Sequence, residues 1–333
     1  MSHIVKNKEG KAGYIILDRP AALNSLTPEM IADFHAALRS HETDDDVEVI
    51  VVRSSSEKAF CAGGDMKSTR LLALEKKWSE LKQFFAQEYA LNLDIAQCSK
   101  PYVSLVNGIA MGGGLGLSVH GEVTIVAATT RLAMPETAIG FFPDVGGTYF
   151  LNQLSCDAGR WLALCGQPVT GDEAVTVGLA THCVHSSDWN TLTDAIERQG
   201  SSALDTVLPG LAESPDDKEF IELLEQRRDW FGPPTNDGVV ASLQAASSGS
   251  VATAASADAS RLLRRVSSMS PYAMNLTRDL LTQARDLDLA ACLQLELDAG
   301  EQAVRHPDFV EGIRAVLVDK EPARWASLSN NRG

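Results

Sequence analysis

No run of this sequence is both long and apolar enough to span a bilayer, because charged residues interrupt the longest candidates. The start, MSHIVKNKEGKAGYIILDRP, has neither the apolar core of a secretory signal nor the Arg/Ser-rich amphipathic pattern of an organelle transit segment, so a cytoplasmic protein beginning near Met1 is expected. The six cysteines (61, 98, 156, 165, 183 and 292) form no C-x-x-C pair and no framework spacing, which implies reduced, mostly buried thiols. Cys61, in AFCAGGD, has no nearby histidine to complete a nucleophilic pair. H-E-x-x-H and Cys/His clusters are missing, so no metal is expected. Positive charge is scarce. The net charge of −15 argues against nucleic acid as a partner. Residues 1–100 hold 13 Lys/Arg against 15 Asp/Glu, and the remainder 16 against 29, so an anionic ligand finds its cations mostly in the first third.

The length, 333 residues, suffices for a core domain and a second, smaller unit. Residues 3–8 and 13–17 flank Glu9-Gly10 as a strand–turn–strand pattern. Thr27-Pro28-Glu29 reads as a helix start, with a capping threonine and proline at the first helical position. Met30, Ile31, Phe34, Ala37 and Leu38 follow with helical spacing. VEVIVVRS (47–54) is β-branched and reads as a buried strand, and about 68–97 as one long helical stretch. PYVSLVNG, EVTIVAA and RLAM read as further strands, with a helix opening in AMGGGLGLSVHG. This alternation predicts an α/β arrangement. Thr170 caps a helix in TGDEAVTVGL, and THCV is a short strand. From about 190 onward the patterns are helical and no strand stands out. The expected organisation is a core over 1–190 and a helical region over 191–333. The polar tract SSGSVATAASADAS (247–260) suggests no function.

The stretch Val106–Thr148 is the most informative. Three motif readings of its glycine run Gly112-Gly113-Gly114 fail. In a dinucleotide G-x-G-x-x-G, the last glycine is replaced by Leu117 or Val119 according to register. In a P-loop counted from Gly108, Gly114 stands where lysine is required. In a nucleophile elbow, Ser118 is followed by Val119-His120 instead of x-Gly. What remains is a run of glycines with exposed backbone N–H groups, followed by two proline-flanked carboxylates, Glu136 and Asp144. That combination suits chemistry at a carbonyl carbon: amides hold developing negative charge, and a carboxylate moves a proton or attacks. Each residue also has a purely structural reading, with Glu136 capping a turn, Asp144 opening one, Glu88 on a solvated helix face, and the glycines serving close packing.

LDRPAALNSL, AFCAGGDM, PYVSLVNGIAMGGGLGL, MPETAIGFFPDVGGT and TGDEAVTVGLA together resemble the crotonase (enoyl-CoA hydratase/isomerase) superfamily over about residues 3–190. The resemblance implies the ββα spiral core of that superfamily. It also implies an oxyanion hole made by the N–H groups of Gly64 and Gly113. Coenzyme A would be held by the loops containing Arg19, Ala22, Leu23, Cys61, Ala62, Gly63 and Asp65, as part of the substrate, with no separate cofactor. Hydratases of the superfamily carry a glutamate two residues past the glycine triplet, and here that position is Gly116. Glu136 with Asp144, the wording MPETAIGFFPDVGG and the C-terminal extension resemble the 3-hydroxyisobutyryl-CoA hydrolases instead. This implies hydrolysis of a short branched β-hydroxyacyl-CoA, as in valine breakdown. Glu136 would act as nucleophile or base, Asp144 would hold the hydroxyl or water, and Glu88 would orient the acyl end. The rival readings are a dienoyl-CoA or enoyl-CoA isomerase, a hydratase, and a non-catalytic CoA-binding protein. Superfamily members usually form trimers or hexamers through C-terminal helices, so residues 191–333 are expected to cover the site, or to build a small homo-oligomer.

Overall fold

The computed structural model describes residues 2–215, 217–248 and 253–326. Part of the tract 247–260, residues 249–252, lies outside them. The fold is mixed α/β, as the alternation of strand and helix predicts. It divides into two compact units, each assembled from three separate stretches of chain.

The first unit comprises Met1–Asp65, Phe84–Ala133 and Val169–Asp216. It contains the strands β1 (Ile4–Glu9), β2 (Ala12–Leu17), β3 (Val49–Ser54), β4 (Ala59–Cys61), β5 (Tyr102–Val106), β6 (Ile109–Met111), β7 (Val123–Val126), β8 (Arg131–Ala133), β9 (Val169–Thr170), β10 (His182–Val184) and β11 (Ala212–Glu213). Seven form one sheet in the order β1-β2-β3-β5-β7-β10-β11, and four form a second in the order β4-β6-β8-β9. β2, β3, β5, β7 and β10 run parallel. Parallel strands are covered on both faces, which explains why VIVV in β3 and all of β5 are buried. Val49, Val51, Val103, Leu105, Val123 and Ile125 build a core with Leu192 and Ile196 of the helix Trp189–Gln199. β1 is mostly exposed at the edge, joined to β2 by a tight turn in which Gly10 takes φ +55°. The two-residue β11 lies in the region where sequence patterning offers no strand, because so short an element carries no periodicity.

The helix Pro28–Glu42 begins as expected, with the Thr27 side chain accepting from Met30 N–H, and it buries Met30, Ile31, Phe34, Ala37 and Leu38. The expected single helix over 68–97 is instead two, Met66–Leu74 and Trp78–Ala96. Lys76 takes the left-handed φ of +56° between them. Neither glycine nor proline marks that break, so helical periodicity runs through it in the sequence.

The second unit comprises Met66–Gln83, Met134–Pro168 and Asp217–Gly333. Its described regular structure is helical. Within it the helix Lys218–Phe231 contributes Arg227, buried and paired with Asp258 at 2.7 Å, with its guanidinium 4.5 Å from the Trp161 ring. The pair is bidentate, Arg227 Nη2 donating to the other Asp258 oxygen at 3.1 Å, which offsets the desolvation of both charges.

Candidate active site

In the first unit, two glycine loops are brought together by main-chain bonds. Leu26 N–H donates to Gly63 O at 2.8 Å, and Asp65 N–H to Leu26 O at 2.8 Å. This is a parallel bridge between Leu26 and Gly64. It uses the carbonyl before Gly64 and the amide after it, so the N–H of Gly64 itself is turned away from the pairing. Ala62 N–H donates to Leu23 O, so the loop 19–26 and the loop 61–65 are zipped along their length. Leu23 and Asn24 both take left-handed φ, and the Asn24 side chain holds them by donating to Phe60 O at 2.9 Å and accepting from Arg19 N–H at 2.7 Å. Arg19 spends its guanidinium on the same loops, on Ser25 O at 2.8 Å and Asp65 at 3.1 Å.

Gly113 opens a single helical turn, Gly113–Gly116, and its N–H belongs to the first-turn donors that have no intrahelical partner. A methyl on Gly63 would stand 3.5 Å from Gly113 N, so the two glycine loops are in contact. A methyl on Gly113 would collide with Oε1 of Glu88 and lie 3.2 Å from Leu26. The Glu88 carboxylate therefore rests against the face of Gly113. It is buried, not on a solvated helix face. Gly114 lies against Cys61 O with no room for a side chain. Burial pushes the Cys61 thiol up to about 12, so it stays protonated and serves as a donor to Asn24 O at 3.2 Å. Ser118 is buried and bonded to the carbonyls of Gly114 and Leu115, a structural role.

Glu136 and Asp144 belong to the second unit, and both are buried. Glu136 opens the 3-10 turn Glu136–Ile139, which Gly140 closes at φ +72°. Gly140 permits more than the φ: a Cβ there would run into the backbone of Asp308, and a Cβ on Gly312 into Ile139. The helix Pro307–Ile313 is thus packed backbone to backbone on the Glu136 turn. Ser270 joins them, its N–H donating to Thr137 O at 3.1 Å and its hydroxyl to Asp308 at 2.6 Å. Asp144 is the first residue of a turn closed by Gly147 N–H to Asp144 O at 2.7 Å. The two central residues, Val145 and Gly146, take φ of +54° and +80°. A β-branched residue in that region is a genuine outlier and costs about 1–3 kcal/mol unless its surroundings impose it.

The restraint comes from Glu296, a residue that reading of motifs does not single out. Gly146 N–H and Thr148 N–H each donate to its carboxylate at 2.8 Å, and the Thr148 hydroxyl at 2.6 Å. Burial pushes Glu296 up to about 8, and the charge of Asp144 adds to this, against the pull of its three donors. A signal for it does exist in the sequence. Glu296 sits in the buried stripe Cys292, Leu293, Glu296, Gly300, Ala303 of the helix Leu289–Ala303, where a carboxylate needs a partner.

The family model described as enoyl-CoA hydratase/isomerase matches residues 12–330. The chain is 36 % identical over 332 residues to a human protein named 3-hydroxyisobutyryl-CoA hydrolase, mitochondrial, covering 97 % of this chain and 83 % of the human one. The bovine protein of the same name is 35 % identical over 333 residues, covering 97 % and 84 %. Among solved structures, a carnitinyl-CoA dehydratase from Mycobacterium thermoresistibile superposes with a TM-score of 0.91 at 32 % identity, over 100 % of this chain and 94 % of the other. An enoyl-CoA hydratase from Rhodobacter sphaeroides superposes with 0.86 at 35 % identity, over 98 % and 92 %. The chain belongs to the enoyl-CoA hydratase/isomerase family, the crotonase superfamily.

Proposed function

We propose that this protein hydrolyses a short branched β-hydroxyacyl-CoA, with 3-hydroxyisobutyryl-CoA as the preferred substrate. The observation that carries the reading is the pair of buried acids, Glu136 and Asp144, in a chain whose third carboxylate position, that of the hydratases, is Gly116. Hydration uses two carboxylates to share one water, and Gly116 supplies neither acid nor base. The whole-length likeness to proteins named 3-hydroxyisobutyryl-CoA hydrolase supports the same substrate.

In this reading the thioester oxygen takes the N–H groups of Gly64 and Gly113, which favour the oxyanion over the ground-state carbonyl. Glu136 acts on the carbonyl carbon in one of two ways. As nucleophile, it forms an acyl–oxygen bond while the carbon–sulfur bond breaks and the CoA thiolate takes up a proton; water then cleaves the mixed anhydride and restores the carboxylate. As base, it removes a proton from water as the water attacks. Asp144 holds the substrate hydroxyl or the water, and Glu88, against Gly113, orients the acyl end. Thiol release from 3-hydroxyisobutyryl-CoA tests the reading: Glu136→Gln is expected to abolish it, and an undiminished rate in that variant would sink the assignment of Glu136. Single turnover in heavy-oxygen water separates the two routes, because only the nucleophilic one leaves label in Glu136.

The two solved structures described above are named as a dehydratase and a hydratase, which favours addition or loss of water across a double bond as the second reading. Enoyl-CoA consumption without thiol release would select it. A cytoplasmic site of action is part of the proposal, although the relatives above are named mitochondrial, and fractionation of the source cells tests it. No helix among the described residues is long and apolar enough to cross a membrane.

A further inference from the structure

The second unit contains a cavity of about 80 Å³ that the proposed chemistry does not use. Leu151 and Leu281 line it together with three arginines, Arg160, Arg278 and Arg285. This is an unusual place for three cations in a chain of net charge −15. Among the described residues none of the three is ion-paired. The bonds they do make go to neutral oxygens: Arg160 Nη1 donates to Gly232 O at 3.1 Å, and Arg278 Nη1 to Pro233 O at 2.8 Å and Nη2 to Asn236 Oδ1 at 2.6 Å. Those contacts tie down the segment after the helix Lys218–Phe231, which is a structural role for part of each guanidinium.

They leave a remainder. Arg278 is 8 % exposed and its buried Nε–H has no acceptor. A buried donor of a charged group left unsatisfied is costly. The positive charge of Arg160 lies close enough to Arg278 to make its protonated form less favourable, after burial itself, and Asp279 opposes the effect only in part. Among the described residues the sole acid on the cavity wall, Asp157, is exposed to solvent. Like charges in one small cavity repel, and a bound anion removes that repulsion. The cavity has room for several waters, and so for one tetrahedral oxyanion. Guanidinium forks match the oxygens of such a group in pairs.

We propose that the Arg160–Arg278–Arg285 cavity is a binding site for a phosphate-class dianion, either free phosphate or the phosphomonoester end of a larger molecule. The site stands on the second unit alone and is independent of the proposed hydrolysis. The full-length protein is titrated calorimetrically with inorganic phosphate, against chloride at matched ionic strength, with glycerol 3-phosphate, a phosphomonoester that is no fragment of coenzyme A, as a second arm. Saturable binding is expected, weakened about tenfold in Arg285→Gln and more in the Arg160→Gln/Arg285→Gln double variant, since each lost charge-assisted contact is a strong one. Arg285 is exposed and Arg160 partly so, and an unchanged melting point in chloride shows that these variants fold. Tighter binding of glycerol 3-phosphate marks a phosphomonoester as the occupant, and tighter binding of phosphate marks the free ion; both uphold the site. The proposal is overturned if phosphate gives no more heat than chloride, or if its affinity is the same in the double variant as in the wild-type protein.

Discussion

Gly64 and Gly113 are fixed by their immediate main-chain surroundings, whereas the turn that carries Asp144 is fixed by a side chain 150 residues beyond Gly146. In the first unit the loop 61–65 and the loop 19–26 exchange backbone bonds, and the amide of Gly113 is left open by the start of a helical turn. Side chains there, Arg19 with Asp65, only reinforce what the backbone already holds. In the second unit two successive left-handed residues, one of them Val145, are held open by the Glu296 carboxylate. Open amides, the donors proposed for an oxyanion, can be set by backbone bonds and glycine alone. Placing an acid inside a buried turn takes help from a distant helix.

The sharpest way to break this comparison is to give the first unit a side chain where it has none. Gly113→Ala puts a methyl into Glu88 and Leu26, displacing the amide. It is expected to lower the rate of thiol release about 10²–10³-fold, the usual cost of an oxyanion donor. A near-wild-type rate would show that the amide of Gly113 takes no part.

Next in size is Glu296. Glu296→Ala strands two buried N–H groups and a hydroxyl, and is expected to destabilise the fold by about 3 kcal/mol in denaturant unfolding. Glu296→Gln keeps an acceptor but sets an NH₂ against one donor, and is expected to lower kcat about tenfold with little change in KM. Its pH signature distinguishes it from simple loss of packing. The folded protein keeps a proton on Glu296 up to about 8, while the unfolded chain releases it near 4.5. The folded state therefore binds more protons between these values, so this contribution to stability is full below 4.5 and is lost as pH rises toward 8. Melting curves across that window should show the wild-type protein losing this advantage while Glu296→Gln does not. Parallel curves would remove Glu296 as the source.

The smallest effect is expected from Asp65→Asn. The ion pair with Arg19 is partly exposed, at 23 % and 20 % of the side chains, and such pairs contribute at most about 1 kcal/mol. The bonds of Leu26 and Ala62 remain, so thiol release should change by less than about threefold. A loss as large as that of the Glu296 variants would erase the contrast between the two units.

Much of the first unit was legible because its residues are forced locally. Gly113 and Gly114 admit no side chain, the Thr27 cap and the β-branched β3 are short-range signals, and the glycine loops announce close backbone approach. Glu136 and Asp144 were legible as residue types in a pattern, but not as turns held by Asp308, Gly312 and Glu296. Tertiary contacts across so many residues leave no periodicity to read. The break at Lys76 escaped for the opposite reason, since a charged residue in left-handed conformation carries no more signal than a charged residue in a helix.

The position of Glu296 also has a consequence in time. Translation delivers the glycine loops early, and they can zip while the ribosome is still at work. The turn bearing Asp144 stays unlatched until the helix Leu289–Ala303 has been made, with its Glu296 150 residues after Gly146. A polypeptide cut short of that helix would thus carry finished amides and an unset acid, and the latch would arrive long after the turn it holds.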